Sequence, residues 1–125
     1  MVKRVFACVV VDDLKVAGAW YGLVLGREAD AAPMAGLLEW HLTPGGWLQV
    51  VDIEVVREVQ LREHWGTAGS SSVAFVIESL DDQLAVLREN GIAIGPQYTT
   101  TASLKTATVV DPAGNLITFV EEPSE

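Results

Sequence analysis

The sequence has only one cysteine and no long apolar run, which argues against a disulfide-bonded domain and against a membrane-spanning protein. With Cys8 alone among 125 residues, no disulfide can form within the chain. No segment approaches the roughly 20 apolar residues of a membrane-spanning helix. The N-terminal run from Val5 to Val11 stops at Asp12 and Asp13, so we interpret it as a buried strand rather than a secretion signal and expect a cytoplasmic protein.

Basic residues are also scarce. The chain has 8 Lys and Arg against 17 Asp and Glu, which gives a formal net charge of -9. A chain of this charge repels nucleic-acid phosphates and anionic membrane surfaces, and attracts cations. We therefore expect neither nucleic acid nor membrane as a partner, and regard a cationic small molecule as a compatible ligand.

The remaining composition is that of a folded globule. Half of the residues are apolar and 20% are charged, which is enough apolar material for a core. A chain of this length fits one compact domain, residues 1–125.

Two segments have the apolar spacing of an amphipathic helix. The first runs from about Asp13 to Leu25, with Asp12 or Asp13 as its cap, and stops at Gly26, which readily adopts a left-handed conformation. The second is predicted to be capped by Ser79 and to end at Asn90 and Gly91. The residues at helical spacing are Leu14, Ala17, Tyr21 and Leu25 in the first, and Leu80, Leu84 and Leu87 in the second.

Short runs rich in β-branched residues surround these helices and are bounded by turn residues. The predicted strands are Val5–Val11, Leu37–Leu42, Trp47–Asp52, Val73–Ile77, Ile92–Ile94, Ser103–Val110 and Leu116–Glu121. Placing Leu80 over Leu14 brings the two halves into the same order of elements. The sequence therefore predicts an α+β fold of two βαβββ modules, at 4–53 and 71–122, joined by a linker at 54–70.

Two motifs resemble those of the vicinal oxygen chelate superfamily, which includes glyoxalase I, extradiol dioxygenases and bleomycin-resistance proteins. The first is Val11-Asp12-Asp13-Leu14 followed by Trp20-Tyr21 and Val24-Leu25-Gly26, and the second is the closing turn Asp111-Pro112-Ala113-Gly114-Asn115. The resemblance covers nearly the whole chain. It implies a curved mixed sheet around a cleft, and assembly as a homodimer.

The metal ligands of that superfamily are not reproduced. The resemblance places the four ligand positions at Phe6, Gln49, Ser72 and Thr118, of which only Gln49 has a suitable side chain. His41 and His64 have no second ligand at chelating spacing. We therefore expect no metal and no cofactor.

The resemblance also indicates which residues line the cleft. The expected ligand-binding residues are Phe6, Cys8, Trp40, Trp47, Gln49, Ser72 and Thr118. This lining suits a compound that stacks on tryptophan and is oriented by the amide and hydroxyl groups. An equally open interpretation is that Trp40 and Trp47 fill core space.

The sequence thus favours a metal-free protein that binds a small molecule and sequesters an aromatic or cationic, antibiotic-like compound, with no catalytic residues. One alternative is a lyase, isomerase or dioxygenase that uses a metal or acid–base groups such as Glu39, His41 or Glu121. Another is an accessory domain whose partner is a protein.

Overall fold

The computed structural model describes residues 1–59 and 67–124, and the side chains up to Val56 and again from Thr67. The first half contains β1 (Val5–Val11), α1 (Leu14–Leu25), β2 (Ala31–Met34), β3 (Leu37–Thr43), β4 (Gly46–Asp52) and α2 (Ile53–Val59). The second half contains β5 (Ser72–Val76), α3 (Leu80–Glu89), β6 (Gln97–Thr99), β7 (Lys105–Val110) and β8 (Leu116–Glu121). Apart from its first residue, Ile53, helix α2 lies in the predicted linker.

The strands form two four-stranded mixed sheets of identical topology. Their orders are β1-β4-β3-β2 and β5-β8-β7-β6. In each sheet the first and last strands of the module pair in parallel, while the other pairings are antiparallel. The predicted α+β fold of two βαβββ modules is confirmed.

The caps of the two long helices act as predicted. The Asp13 carboxylate accepts a hydrogen bond from the Val16 amide at 3.1 Å, and Gly26 ends α1 with a φ of 74°. In α3, the Ser79 hydroxyl accepts from the Asp82 amide at 3.2 Å. No helix within the described ranges is long and apolar enough to span a membrane.

The predicted strand Ile92–Ile94 is wrong. The second strand of that module is instead β6, Gln97–Thr99. The Ile92 amide instead donates to the Leu87 carbonyl at the end of α3, and the Gly95 amide to the Thr108 carbonyl. Both isoleucines pack against the core from this irregular segment, so their apolar character reflects burial rather than strand pairing.

Helices α1 and α3 cover one face of the sheets and bury one core with both modules in it. The largest buried side chains include Trp40 and Tyr21 from the first module and Leu87 and Phe119 from the second. We call the opposite face of the sheets the open face. Helix α2 covers part of it, where Ile53 and Val56 pack with Val10 and Val51.

A buried polar network joins the modules. The Tyr21 hydroxyl of α1 donates to Asp111 at 2.6 Å, and the Asn115 side chain donates to Asp111 and to the Val10 carbonyl of β1. The Gly69 amide donates to the same carbonyl at 3.2 Å. A Cβ on Gly69 would lie 2.0 Å from the Ala113 carbonyl oxygen, so only glycine allows this close approach.

Candidate functional site

A row of aromatic rings crosses the open face of the first sheet. Phe6 and Trp47 stack with centroids 5.4 Å apart and an interplanar angle of 6°, and His41 stacks on Trp47 at 3.5 Å and 17°. Because Phe6 and His41 lie on the strands flanking β4, they cover the two faces of the indole. The Arg4 guanidinium adds a cation–π contact at 3.9 Å. A ligand on this face therefore meets the indole edge, and the expected stacking on Trp47 is replaced by stacking within the protein.

A polar cluster lies beside this row. The register places Glu39 opposite Gln49, and Gln49 opposite Cys8. The Gln49 amide donates to Glu39 Oε2 at 2.8 Å, and His41 Nε2 lies 3.2 Å from Glu39 Oε1. Glu39 is only 8% exposed. The first sheet thus presents a largely buried carboxylate with an amide and an imidazole fixed around it.

Cys8, on β1, lies opposite Gln49 and borders the polar cluster. Burial raises the pKa of its thiol, because the thiolate would lose its hydration. Little thiolate is present at neutral pH, and the thiolate is the reactive form. Cys8 is therefore suited to contact a ligand and not to act as a nucleophile.

The open face of the second sheet contributes simpler groups. Ser72 is exposed at the start of β5. The Thr118 hydroxyl of β8 is 2.9 Å from that of Thr108 on β7, so these two hydroxyls hydrogen-bond to each other. The exposed Val76 and Leu116 make the remainder of this surface apolar.

Trp40 does not belong to this site, which corrects the sequence expectation. It is 1% exposed in the helix-side core, where its indole nitrogen donates to the Arg27 carbonyl at 2.9 Å and its ring lies 6.0 Å from that of Tyr21. The reason is strand alternation, since Trp40 pairs with the buried Leu48.

Of the three candidate acid–base groups, Glu39 and His41 meet on the open face, whereas Glu121 does not. Glu121 accepts a hydrogen bond from the Leu80 amide at the start of α3 and lies 3.6 Å from the Lys105 ammonium, so its role is to cap the helix. The remaining histidine, His64, lies outside the described residues.

Sequence reasoning missed the Glu39–Gln49–His41 cluster as a unit, and Arg4 altogether. The signal was present in β3, where Leu38, Trp40 and Leu42 alternate with Glu39 and His41. Alternation of this kind assigns the apolar set to the core and the polar pair to the other face.

The side chains at the four ligand positions do not fit the superfamily's metal. Of the four ligand positions, Phe6 has no donor atom, Ser72 and Thr118 offer only neutral hydroxyls, and Gln49 alone offers an amide oxygen. No three His, Cys, Asp or Glu residues within the described ranges come together as a metal site.

Paired βαβββ modules with a helix-covered face and an open face define a glyoxalase-like protein. No protein-family model and no curated protein sequence matches the chain. The structure is similar to that of a glyoxalase/bleomycin resistance protein from Catenulispora acidiphila DSM 44928, with a TM-score of 0.79 and 31% identity over 97% of this chain and 99% of that one. The chain therefore belongs to the glyoxalase/bleomycin resistance protein family, within the vicinal oxygen chelate superfamily.

Two further structures share the fold at lower identity. One is the antibiotic binding protein TnmS3 from Streptomyces sp. CB03234, with a TM-score of 0.76 and 21% identity over 98% of each chain. The other is a lactoylglutathione lyase from Agrobacterium tumefaciens, with a TM-score of 0.77 and 19% identity over 93% of this chain and 90% of that one. The same fold thus serves a binding protein and an enzyme.

Proposed function

We propose that this chain is a metal-independent binding protein that sequesters a small, largely aromatic molecule bearing a cationic group. The observation that carries the proposal is the carboxylate of Glu39, which is largely buried on the open face and held by Gln49. No lysine or arginine in the described part of the chain pairs with it. A buried carboxylate is costly without a counter-charge, and a cationic ligand would supply one.

Two other observations support this ligand class. Phe6, Trp47 and His41 stack in a row on the same face, His41 contacts the carboxylate, and these rings offer apolar contact to an aromatic ring system. The net charge of -9 attracts cations over a longer range. The existence of an antibiotic binding protein with this fold also supports the proposal.

The test compares two planar probes, the cation 9-aminoacridine and the neutral acridine, by isothermal titration calorimetry. We expect the cation to bind more tightly, with one site per chain. Glu39→Gln should weaken its binding by about 10- to 100-fold, which corresponds to the loss of a hydrogen bond to a charged group, and should leave acridine nearly unaffected.

The exposed Glu122→Gln is the matched control, since it makes the same change of charge outside the site. A cation preference that persists in Glu39→Gln would disprove the proposed role of this carboxylate. One equivalent of a divalent metal per chain in protein purified without chelators would disprove metal independence.

We also propose that the site is closed by a second copy of the chain. In one chain the open face is uncovered at Phe6, which is 47% exposed. The strands of the second module carry further large apolar side chains that are exposed, and a soluble monomer rarely presents such a set. They are Val76 at 62%, Tyr98 at 64%, Val110 at 55% and Leu116 at 47%.

Sedimentation equilibrium is expected to give the mass of a dimer at micromolar concentrations. Val76→Glu should shift it to the monomer, because a charge would be buried in the interface. Exposed Val2→Glu, at the N-terminus, is the control. A monomeric wild-type protein would contradict the proposed dimer but not the proposed ligand site.

A second candidate function is acid–base catalysis, favoured by the 3.2 Å approach of His41 Nε2 to Glu39. A carboxylate that orients an imidazole is a common arrangement for a general base. Turnover of the hemithioacetal of methylglyoxal and glutathione by metal-free protein, lost in His41→Gln, would establish a lyase or isomerase in place of the binding protein.

A further inference from the structure

A cleft of about 530 Å³ opens between the two modules, where the edge strands β1 and β5 separate. Ala7, Phe75 and Phe119 form part of its wall, and all three pack against the helix-side core. The cleft is therefore distinct from the Glu39 site, although Trp47, Ala74 and Val76 of the open face also line it.

The opening follows from the difference between two equivalent turns. At one end of β1, the Val10 carbonyl accepts hydrogen bonds from Gly69 and from the Asn115 side chain in the β7–β8 turn, which closes the junction. The corresponding β3–β4 turn contains Pro44 and Gly45, which have no side chain able to donate. No hydrogen bond joins this turn to β5 in the described part of the chain, and the strands part there.

The lining of the cleft limits what can occupy it. None of its lining side chains is charged, and the polar ones are Thr43 and Gln83. Thr43 donates to the Gly46 carbonyl at 3.4 Å, and Gln83 Nε2 donates to the Val24 carbonyl at 2.9 Å. Gln83 Oε1 receives no hydrogen bond from any described residue, so one acceptor remains in an otherwise apolar wall.

We propose that this cleft is a second binding site, for an uncharged, mostly apolar ring compound carrying one hydroxyl or NH group. The ring would contact Ala7, Phe75 and Phe119, and the donor would bond to Gln83 Oε1. The cleft volume lies within the range of about 300 to 1,000 Å³ typical of small-molecule sites. Charged compounds are excluded, because nothing in the lining compensates for their lost hydration. This site does not depend on the function proposed for the open face.

The probes are 2-naphthol and naphthalene, which share a ring system and differ by one hydrogen-bond donor. We expect 2-naphthol to shift the backbone amide NMR signals of Ala7, Val73 and Phe75 more than those of Glu39 and Gln49. Ala7→Leu or Ala74→Leu should reduce its affinity at least about tenfold by filling the space. Gln83→Ala should reduce the affinity for 2-naphthol to that for naphthalene.

Ala19→Leu, an exposed change on α1, makes the same increase in volume away from the cleft and should leave binding unchanged. Circular dichroism and thermal unfolding show whether each variant is folded, and the two filling positions serve as independent tests. Shifts confined to Glu39 and Gln49, or affinity unchanged in both folded filling variants, would overturn the proposal. So would a loss of dimer mass in those variants without loss of 2-naphthol binding, since the cleft would then be a subunit contact.

Discussion

Asp111→Ala is expected to lower the free energy of unfolding by about 3 to 5 kcal/mol. The carboxylate of this residue is the acceptor for five hydrogen bonds in a region that excludes water, and Asp111 is 3% exposed. The five donors are the backbone amides of Ala113, Gly114 and Asn115, the Asn115 side-chain amide, and the Tyr21 hydroxyl. Alanine would leave all of them without this partner.

The size of the effect follows from the cost of unsatisfied buried donors. Each unsatisfied buried donor lowers the free energy of unfolding by about 1 to 3 kcal/mol, and structural relaxation or entry of water reduces the summed cost. Domains of this size are stable by about 5 to 15 kcal/mol. The melting temperature should therefore fall on the order of 15 °C.

Urea unfolding followed by circular dichroism measures the difference. Asp111→Asn retains Oδ1 as an acceptor and should cost less than alanine, which keeps the test informative if the alanine variant does not fold. The exposed Asp12→Ala is the control and should change stability by about 0.5 kcal/mol or less. A cost below about 1 kcal/mol for alanine would contradict the role assigned to the network.

Above about pH 10, the wild-type protein should lose about 1.4 kcal/mol of stability per pH unit relative to Tyr21→Phe. Burial, the hydrogen bond to Asp111 and the charge of that carboxylate all raise the pKa of Tyr21. The unfolded chain therefore releases the tyrosine proton first. The stability that the neutral hydroxyl confers is complete below about pH 10 and declines as the pH rises further.

Chemical denaturation at a series of pH values from about 8 to 11.5 measures this dependence. Tyr98→Phe is the matched control, because Tyr98 is 64% exposed. Its pH profile should follow that of the wild-type protein. Parallel profiles for wild type and Tyr21→Phe would show that the buried hydroxyl ionises normally, contrary to the geometry.

The sequence predicted the helices well because their ends are determined locally. Asp13, Gly26 and Ser79 act within one turn of where they stand, so their effect can be inferred without knowledge of the fold. The repeated order of elements and the Asp111–Asn115 turn then gave the topology. The error of placing a strand at Ile92–Ile94 had a different origin, since burial and strand pairing both favour β-branched residues.

The site was harder to predict, because strand register decides which side chains meet. Trp40 and Glu39 are adjacent in sequence and lie on opposite faces, so a shift of one position exchanges them. The meeting of Glu39 with Gln49 depends on the β3–β4 register, which the bulge after Trp40 alters locally. The cleft between β1 and β5 depends on how two modules dock, for which no single segment carries the information.

The two turns that close the modules occupy equivalent positions in a duplicated architecture and have opposite consequences. The turn with Asp111 and Asn115 joins the two modules, because its side chains hydrogen-bond to Tyr21 and to the Val10 carbonyl of the first module. The turn with Pro44 and Gly45 makes no such hydrogen bonds to β5 in the described part of the chain. Mutations near it can therefore alter the neighbouring cleft without breaking the hydrogen bonds that join the modules. Of the two equivalent junctions between the modules, one is thus fixed by buried hydrogen bonds, and the other can accept substitutions that reshape the cleft.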